Sequence, residues 1–468
     1  MYKAIFTNSF GILFSRVLGF IRDLLTASVL GANVYSDIFF IAFKLPNLFR
    51  RIFAEGAFTQ VFIPAFAKSK HKGVFSANIF IIFLSIIFII TLFVNIFPAL
   101  ATQAIAVGFS EDTIGIAAPF VAINFWYLPL IFSVTFLSTI LQYKNHFATS
   151  AFSTALLNIS LILALYFSQD KTQGEIVYYL SYGVVIGGSL QLIVHLIAIK
   201  EMQLSKLLVG GFKHLKQKSK IIKEDTKHFS KQFFPAMWGN STAQISAFLD
   251  TFLASFLLTG SISYLYYANR IFQLPLALFA IATSIALFPK VARFLKQKKD
   301  EEALAYLSKA FWFLSFLLTA STLGGLILGQ EITWLLFQRG AFNAQDTTNT
   351  TAVLQMYMLG LLPFGLQKLF LLWLYAKEMQ LHAAKIATLS LGVYIVLALS
   401  LISPMGVSGL ALASTAGGFV GFALTIKTFG VKNFLDILRS KNIIYLIVSS
   451  ILFTILLIMI KDFLHAYM

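Results

Sequence analysis

The sequence contains no cysteine. Disulfides, thiolate nucleophiles and cysteine-based metal sites are therefore excluded. Acids are also scarce, with 19 Asp and Glu against 36 Lys and Arg, and charged residues make up 12% of the 468 positions. A soluble domain of ordinary composition carries roughly twice that charged share, about 25%. The seven histidines are scattered, with no H-x-x-x-H pair for zinc. The amino-terminal segment lacks a short apolar core followed by a small-residue cleavage site, so no cleavable signal is expected.

What is present is apolar. Hydrophobic residues reach 58% with 50 Phe, and the mean hydropathy is +0.82. Runs such as "NIFIIFLSIIFIITLFVNIF" (78–97) and "NIIYLIVSSILFTILLIMI" (442–460) are long enough to cross a bilayer, which takes about 20 apolar residues. The pattern predicts thirteen spans, near 5–30, 37–66, 77–98, 117–142, 149–168, 176–199, 230–258, 262–289, 305–329, 350–375, 382–402, 407–427 and 442–460. With the amino terminus inside, 26 of the 36 basic residues fall in cytoplasmic segments, nine of them between 200 and 231. Only Lys171, Arg339 and Lys461 fall outside. This follows the positive-inside rule, so the net charge of +17 reflects topology rather than nucleic-acid binding.

The chain also repeats itself. "LQYKNHFATSAFSTALLNISLILALY" from Leu141 resembles "LYAKEMQLHAAKIATLSLGVYIVLAL" from Leu374, each after a span with an internal proline, Pro129 and Pro363. "FIPAFAK" (62–68) pairs with "LFPKVAR" (287–293), and "GVVIGGSLQLIVHLIAIK" (183–200) with "STAGGFVGFALTIK" (414–427). Three matches in one order at similar offsets indicate duplication. Six spans separate the copies, so both halves have the same orientation, an arrangement found in transporters. The expected fold is an all-α polytopic membrane protein. It has two six-helix lobes in parallel pseudo-twofold repeat, plus one extra C-terminal transmembrane helix. The expected divisions are 1–200, a basic cytoplasmic linker at 201–229, 230–430, and 431–468 with the extra helix.

Seven basic residues remain inside spans: Arg16, Arg22, Lys44, Arg50, Arg51, Arg270 and Lys368, with the acids Asp23, Asp37, Glu55 and Asp250. Each charge at mid-bilayer costs at least about 2.5–3.5 kcal/mol, so these groups must face protein or water. At 100° per residue, Lys44, Asn47 and Arg51 share one side of span 2, and Arg51 and Glu55 are i,i+4 neighbours. Arg16 and Asp23 share a face of span 1, and Gly19 there allows a bend or a close neighbour. Pro46 should kink span 2. Two readings follow. The pairs Arg22–Asp23 and Arg51–Glu55 could simply lock helices together. Alternatively, the surplus of bases lines a water-filled cavity that receives an anion, for which guanidinium groups favour phosphate. Asp250, in a polar-flecked span, is either a cation ligand or an ion-pair partner of Arg270. The acids of the outer loops, Glu111, Asp112, Asp170, Glu175, Glu331 and Asp346, form no catalytic motif, so no enzyme is expected.

"SRVLGFIRD", "FKLPNLFRRIFAEGAFTQVFIPAF", "YYANRIFQLP" and "LFQRGAF" closely resemble the MurJ (MviN) family. These are bacterial lipid II flippases of the multidrug/oligosaccharidyl-lipid/polysaccharide exporter superfamily. The resemblance runs from about residue 8 to 430. It implies two lobes around a cationic cavity and movement of lipid II from the cytoplasmic to the periplasmic leaflet of the inner membrane, for cell-wall synthesis. Position by position, it places substrate-binding roles on Arg16, Arg22, Arg50 and Arg270, and gating roles on Asp23, Asp37, Asn47 and Glu55. The family has two further helices after the second lobe, lining a groove for the lipid tail, whereas one is read here. Some members resemble sodium-coupled transporters. Asp250 fits the first sodium ligand, but span 11 offers no Asn or Asp at the matching depth. The expectation is a monomeric flippase with no cofactor, coupled to membrane potential, H+ or Na+, with the Na+ set incomplete. Its partners would be lipid II, membrane lipids and other cell-wall synthesis proteins. The amino terminus would be cytoplasmic and the carboxyl terminus periplasmic. The alternative is a flippase for another prenyl-diphosphate glycan, or a drug exporter of the same superfamily.

Overall fold

A computed structural model describes residues 2–49, 57–218 and 222–465. The described residues are almost wholly helical and divide into two compact units, 1–260 and 261–468. The first holds α1 (Tyr2–Leu30), α2 (Val34–Phe49), α3 (Ala57–Lys68), α4 (Lys72–Ile96), α5 (Pro98–Ile105), α6 (Glu111–Phe125), α7 (Tyr127–Tyr143), α8 (Ala148–Ser168), α9 (Gln173–Glu201), α10 (Ser205–Lys213), α11 (Leu215–Lys218) and α12 (Lys223–Ala254). The second holds α13 (Ser261–Pro275), a π-helical turn (Leu276–Ile281), α14 (Ala282–Lys296), α15 (Asp300–Ile327), α16 (Gly329–Phe337), α17 (Ala344–Leu359), α18 (Leu361–Ala376), α19 (Gln380–Phe429), α20 (Val431–Leu438) and α21 (Asn442–His465).

Nine stretches among the described residues are long and apolar enough to cross a membrane. One of them is α19, whose 50 residues contain Pro404 and a non-helical Gly406 at φ 56°, ψ −135°. Only glycine occupies such a conformation at little cost, so two crossings meet there. Adding α1, the pair α2 and α3, and α12 accounts for the thirteen expected spans. Span 2, expected to be continuous over 37–66, is described as α2 and α3, with Pro46 three residues before the end of α2.

The internal duplication has a physical signature. Proline at position i has no N–H to donate to the carbonyl of i−4, and its ring clashes with that carbonyl. Helix α6 ends at Phe125, four residues before Pro129, and α17 ends at Leu359, four before Pro363. Each break restarts at once as α7 or α18. The paired glycines also match. A Cβ on Gly187 would lie 2.8 Å from Leu157 of α8, and one on Gly188 would lie 2.6 Å from Tyr127 of α7. In the second unit, a Cβ on Gly417 would lie 3.0 Å from the Ser390 carbonyl, and one on Gly418 would lie 2.6 Å from Phe364 of α18. Both Gly-Gly steps let the last helix of the repeat approach two neighbours closely, the usual packing device in membranes.

Helix α12 belongs to the first unit, so the compact division falls at 260, one span later than the linker at 201–229. The cause is aromatic. Phe229 and Phe233 are buried against Phe58, Phe62, Phe75 and Phe83, with ring centroids 5.1–6.4 Å apart. Such pairs add about 0.5–1.5 kcal/mol each beyond area burial. Beside them Ser69 Oγ donates to Asp225 Oδ2 at 2.7 Å, and Asn78 Nδ2 donates to Thr226 Oγ1 at 2.9 Å. In the second unit, α15 packs against α14, α17, α18 and α21. Helix α21 presents most of its apolar surface outward, as a lipid-facing helix does.

Candidate functional site

Helix α1 is apolar on both sides of "RVLGFIRD", and it buries the end of that motif. Arg22 is 8% exposed and Asp23 1%. Arg22 Nη2 and Nε both donate to Asp23 Oδ1, at 2.6 and 3.1 Å. Nη1 donates to Asn158 Oδ1 of α8 at 3.0 Å, and Asn158 Nδ2 donates to the Ser15 carbonyl at 3.0 Å. Asn158 therefore satisfies a charge and an α1 carbonyl at once. Gly19 faces the Asn158 amide, and a Cβ there would make ordinary contact with it at 3.5 Å. Arg16, six residues before Arg22, is exposed.

The acids and bases of α2 reach the far end of α12. Asp37 is 3% exposed, and its Oδ2 accepts from the Gly260 amide at 2.7 Å. Gly260 has φ +91°, where a side chain would be strained. The carboxylate thus fixes the left-handed turn that ends the first unit. Lys44 Nζ donates to Thr251 Oγ1, on the residue after Asp250. Asp250 is half-buried. Asn47 Nδ2 donates to its own helix, at the Phe43 carbonyl, 3.2 Å away. Arg50, Arg51 and Glu55 lie outside the described residues.

In the second unit Arg270 is half-buried on α13. Its Nη2 donates to Tyr266 Oη at 2.9 Å, and its guanidinium carbon lies 5.0 Å from the centroid of that ring. Tyr266 precedes it by four residues and so shares its face. Lys368 is half-buried on α18.

The structure thus brings Arg22 and Asp23 together with Asn158, which sequence reasoning did not single out. It places Asp37 on the Gly260 amide and Lys44 on the Thr251 hydroxyl. Asn158 carried a signal in retrospect: it is an amide in the middle of the otherwise apolar "FSTALLNISLILALY". No group of three His, Asp or Glu able to hold a metal occurs among the described residues.

These features define a multi-pass, two-unit helical membrane protein with cationic groups inside its spans. Its fold is that of the MOP-superfamily transporters. It superposes on a solved inward-facing multidrug resistance MATE family transporter of that superfamily with a TM-score of 0.61, at 12% identity over 90% of this chain and 99% of that one. A solved lipid II flippase MurJ in an inward closed conformation gives a TM-score of 0.79, at 26% identity over 97% of each chain. The family profile "Lipid II flippase MurJ" matches residues 26–468. A curated Helicobacter pylori protein named "Probable lipid II flippase MurJ" is 52% identical over 422 residues, covering 88% of this chain and 92% of that protein. A Rhizobium tropici protein of the same name is 32% identical, covering 87% of this chain and 76% of that one. The chain belongs to the lipid II flippase MurJ family.

Proposed function

We propose that this chain carries lipid II, the prenyl-diphosphate-linked peptidoglycan precursor, from the cytoplasmic to the periplasmic leaflet of the inner membrane, and catalyses no covalent reaction. The observation that carries the reading is a member of this family with cationic groups held inside its spans: Arg22 on α1, Lys44 on α2, and Arg270 and Lys368 in the second unit. A diphosphate is the anion such groups favour. Arg16, Arg22, Arg50 and Arg270 engage the diphosphate and headgroup, with Asn47 beside them. Asp23, Asp37, Arg51 and Glu55 hold the closed states by ion pairing and capping. The prenyl tail stays in lipid.

A net basic path suits an anionic lipid better than the cationic drugs many exporters of this fold would require. The membrane potential supplies a drive, worth about 2.3 kcal/mol per charge per 100 mV. Asp250 is the group to examine for cation coupling. The amino terminus lies in the cytoplasm, as the distribution of lysines favours, and the monomer is the working unit.

Depletion of the protein in its host, followed by measurement of lipid II in each leaflet, tests the reading. Outer-leaflet lipid II should fall, and Arg16→Ala, Arg50→Ala or Arg270→Ala should fail to restore it. An unchanged outer leaflet on depletion would refute the function. Full rescue by all three variants would refute the assigned residues.

A further inference from the structure

Lys368 is the one intramembrane cation of the second unit whose role nothing above explains. It precedes the end of α18 at Ala376 by eight residues, about 12 Å, which sets it well inside the helix. It makes no hydrogen bond or ion pair with any described residue. The contrast is Lys377, at the end of the same helix, which pairs with Asp300 Oδ2 at 2.9 Å and lies 4.7 Å from the Trp373 ring centroid. The lysine at the membrane edge is neutralised and the lysine within the span is not.

Two further observations relate it to Arg270. First, α13 and the π-helical turn that follows it lie against α17 and α18. The Phe272 ring lies 5.9 Å from Phe364 and 5.5 Å from Tyr357, and the Gly365 Cβ position lies 3.3 Å from Ala280. Helices α13 and α18 belong to spans separated by one return, so they run in the same direction. Those contacts set the level of Arg270 about two to four helical turns above Lys368, roughly 9–20 Å. Second, each cation occupies the less buried side of its helix. Tyr266, Asn269 and Gln273 accompany Arg270, and Phe364 and Tyr375 accompany Lys368. A charged side chain does not face lipid at such depth, so these sides meet water.

We infer that Lys368 is an anion-binding residue for the phosphate groups of the transported lipid, a second cationic station spaced from Arg270 along the membrane normal. This rests on the proposed function. With the amino terminus inside, Lys368 is the nearer to the cytoplasm and meets the diphosphate before Arg270 does. Two stations suit transport, because a ligand shared between them need not be held tightly by either. An ammonium group is apt for a transient contact, being a compact charge without the bidentate fork of arginine.

The test is retention of lipids by the purified full-length protein in native mass spectrometry, at fixed ionic strength, with lipid II, undecaprenyl phosphate and neutral undecaprenol as probes. The wild type should hold both phosphorylated lipids at least tenfold more strongly than undecaprenol. Lys368→Met should lose most of that preference while leaving undecaprenol unchanged, and Lys368→Arg should restore it. Lys368→Met should unfold no earlier than wild type, because the lysine makes no bond with a described residue for the change to break. A residue with a merely structural role would instead lose stability. If Lys368→Met keeps the phosphate preference, the station is refuted while the flippase reading stands. If Lys368→Met misfolds, Lys368→Gln takes its place, with the same outcomes. If wild type binds undecaprenyl phosphate well but not lipid II, and the lysine variants still lose that binding, the substrate assignment falls and the anion site stands. If wild type shows no phosphate preference, both fall.

Discussion

Removing the carboxylate of Asp23 should destabilise the first unit more than removing the whole ion pair. Arg22 and Asp23 are 8% and 1% exposed, so water does little to screen them. Truncating one member of such a pair strands the other charge and costs about 3–5 kcal/mol. Replacing both with apolar groups of similar size is often neutral. The variants are therefore Asp23→Ala, Arg22→Met, and Arg22→Met with Asp23→Leu, compared by equilibrium unfolding of the protein in bicelles. Asp23→Ala should lose about 3–5 kcal/mol, and the double variant should lie within about 1 kcal/mol of wild type. Asn158→Ala, which takes one hydrogen bond from the guanidinium at 3.0 Å, should cost about 1.5–3 kcal/mol. In the double variant the same substitution should cost less, because the charge it serves is gone. A double variant as unstable as Asp23→Ala, with no coupling between the positions, would refute the account of a buried ion pair. The well-folded double variant should also fail to restore outer-leaflet lipid II, which separates the role of Arg22 in transport from its role in stability.

Three further outcomes can be measured in the same way. Gly188→Ala and Gly418→Ala each place a Cβ 2.6 Å from an aromatic ring, and each should cost about 1–3 kcal/mol from overpacking. Unequal penalties far outside that range would argue against equivalent jobs in the two repeats. Asp37→Leu removes the acceptor for the Gly260 amide at 2.7 Å and should cost about 1.5–3 kcal/mol. Asp37→Asn keeps an oxygen there and should cost less, so an equal loss would mean that charge rather than the hydrogen bond matters. Asn343 and Asp346 form a reciprocal cap at the start of α17, with bonds of 3.0 Å each way. Asn343→Ala should cost about 0.5–2 kcal/mol and speed amide exchange at the first turn of α17. Uniform loss of protection along α17 would refute a local cap.

The crossings were legible because a bilayer leaves little choice. A run such as 78–97 has nowhere else to go, and lysine placement orders the loops around it. The duplication was legible through proline and glycine, whose effects on a backbone are local. Pro129 and Pro363 each stop a helix four residues upstream. The assignment of α12 to the first unit was not legible. It depends on Phe229 and Phe233 meeting Phe58 and Phe83 at sequence distances near 150–170 residues. In a chain with 50 Phe no pattern marks which rings will meet. The π-helical turn at Leu276–Ile281 is equally silent, since "LALFAI" is ordinary helix-forming sequence.

For the candidate site, a sequence reveals which charges enter the membrane but not what receives them. The cost of an intramembrane charge is large and local, so Arg22, Lys44, Arg270 and Lys368 stand out from composition alone. Their partners do not, because a hydrogen-bonding group of any kind can share the load. Arg22 takes an amide 136 residues away as well as its neighbouring acid. Lys44 takes a threonine hydroxyl, and Arg270 a tyrosine one turn back. Counting acids against bases therefore gives the sign of the region but misjudges which groups are spent. A neutral partner satisfies hydrogen bonds without cancelling charge, and the Thr251 and Tyr266 hydroxyls are such partners for Lys44 and Arg270. That is the state an anion-carrying path needs: cations oriented by dipoles remain available to phosphate, whereas cations neutralised by carboxylates would not. Arg22, already paired with Asp23, would have to exchange that carboxylate for substrate. Arg22 holds Asp23 through two of its nitrogens and Asn158 through the third, a fork that an ammonium group does not reproduce, so Arg22→Lys should impair transport at matched expression, with transported lipid II as the readout.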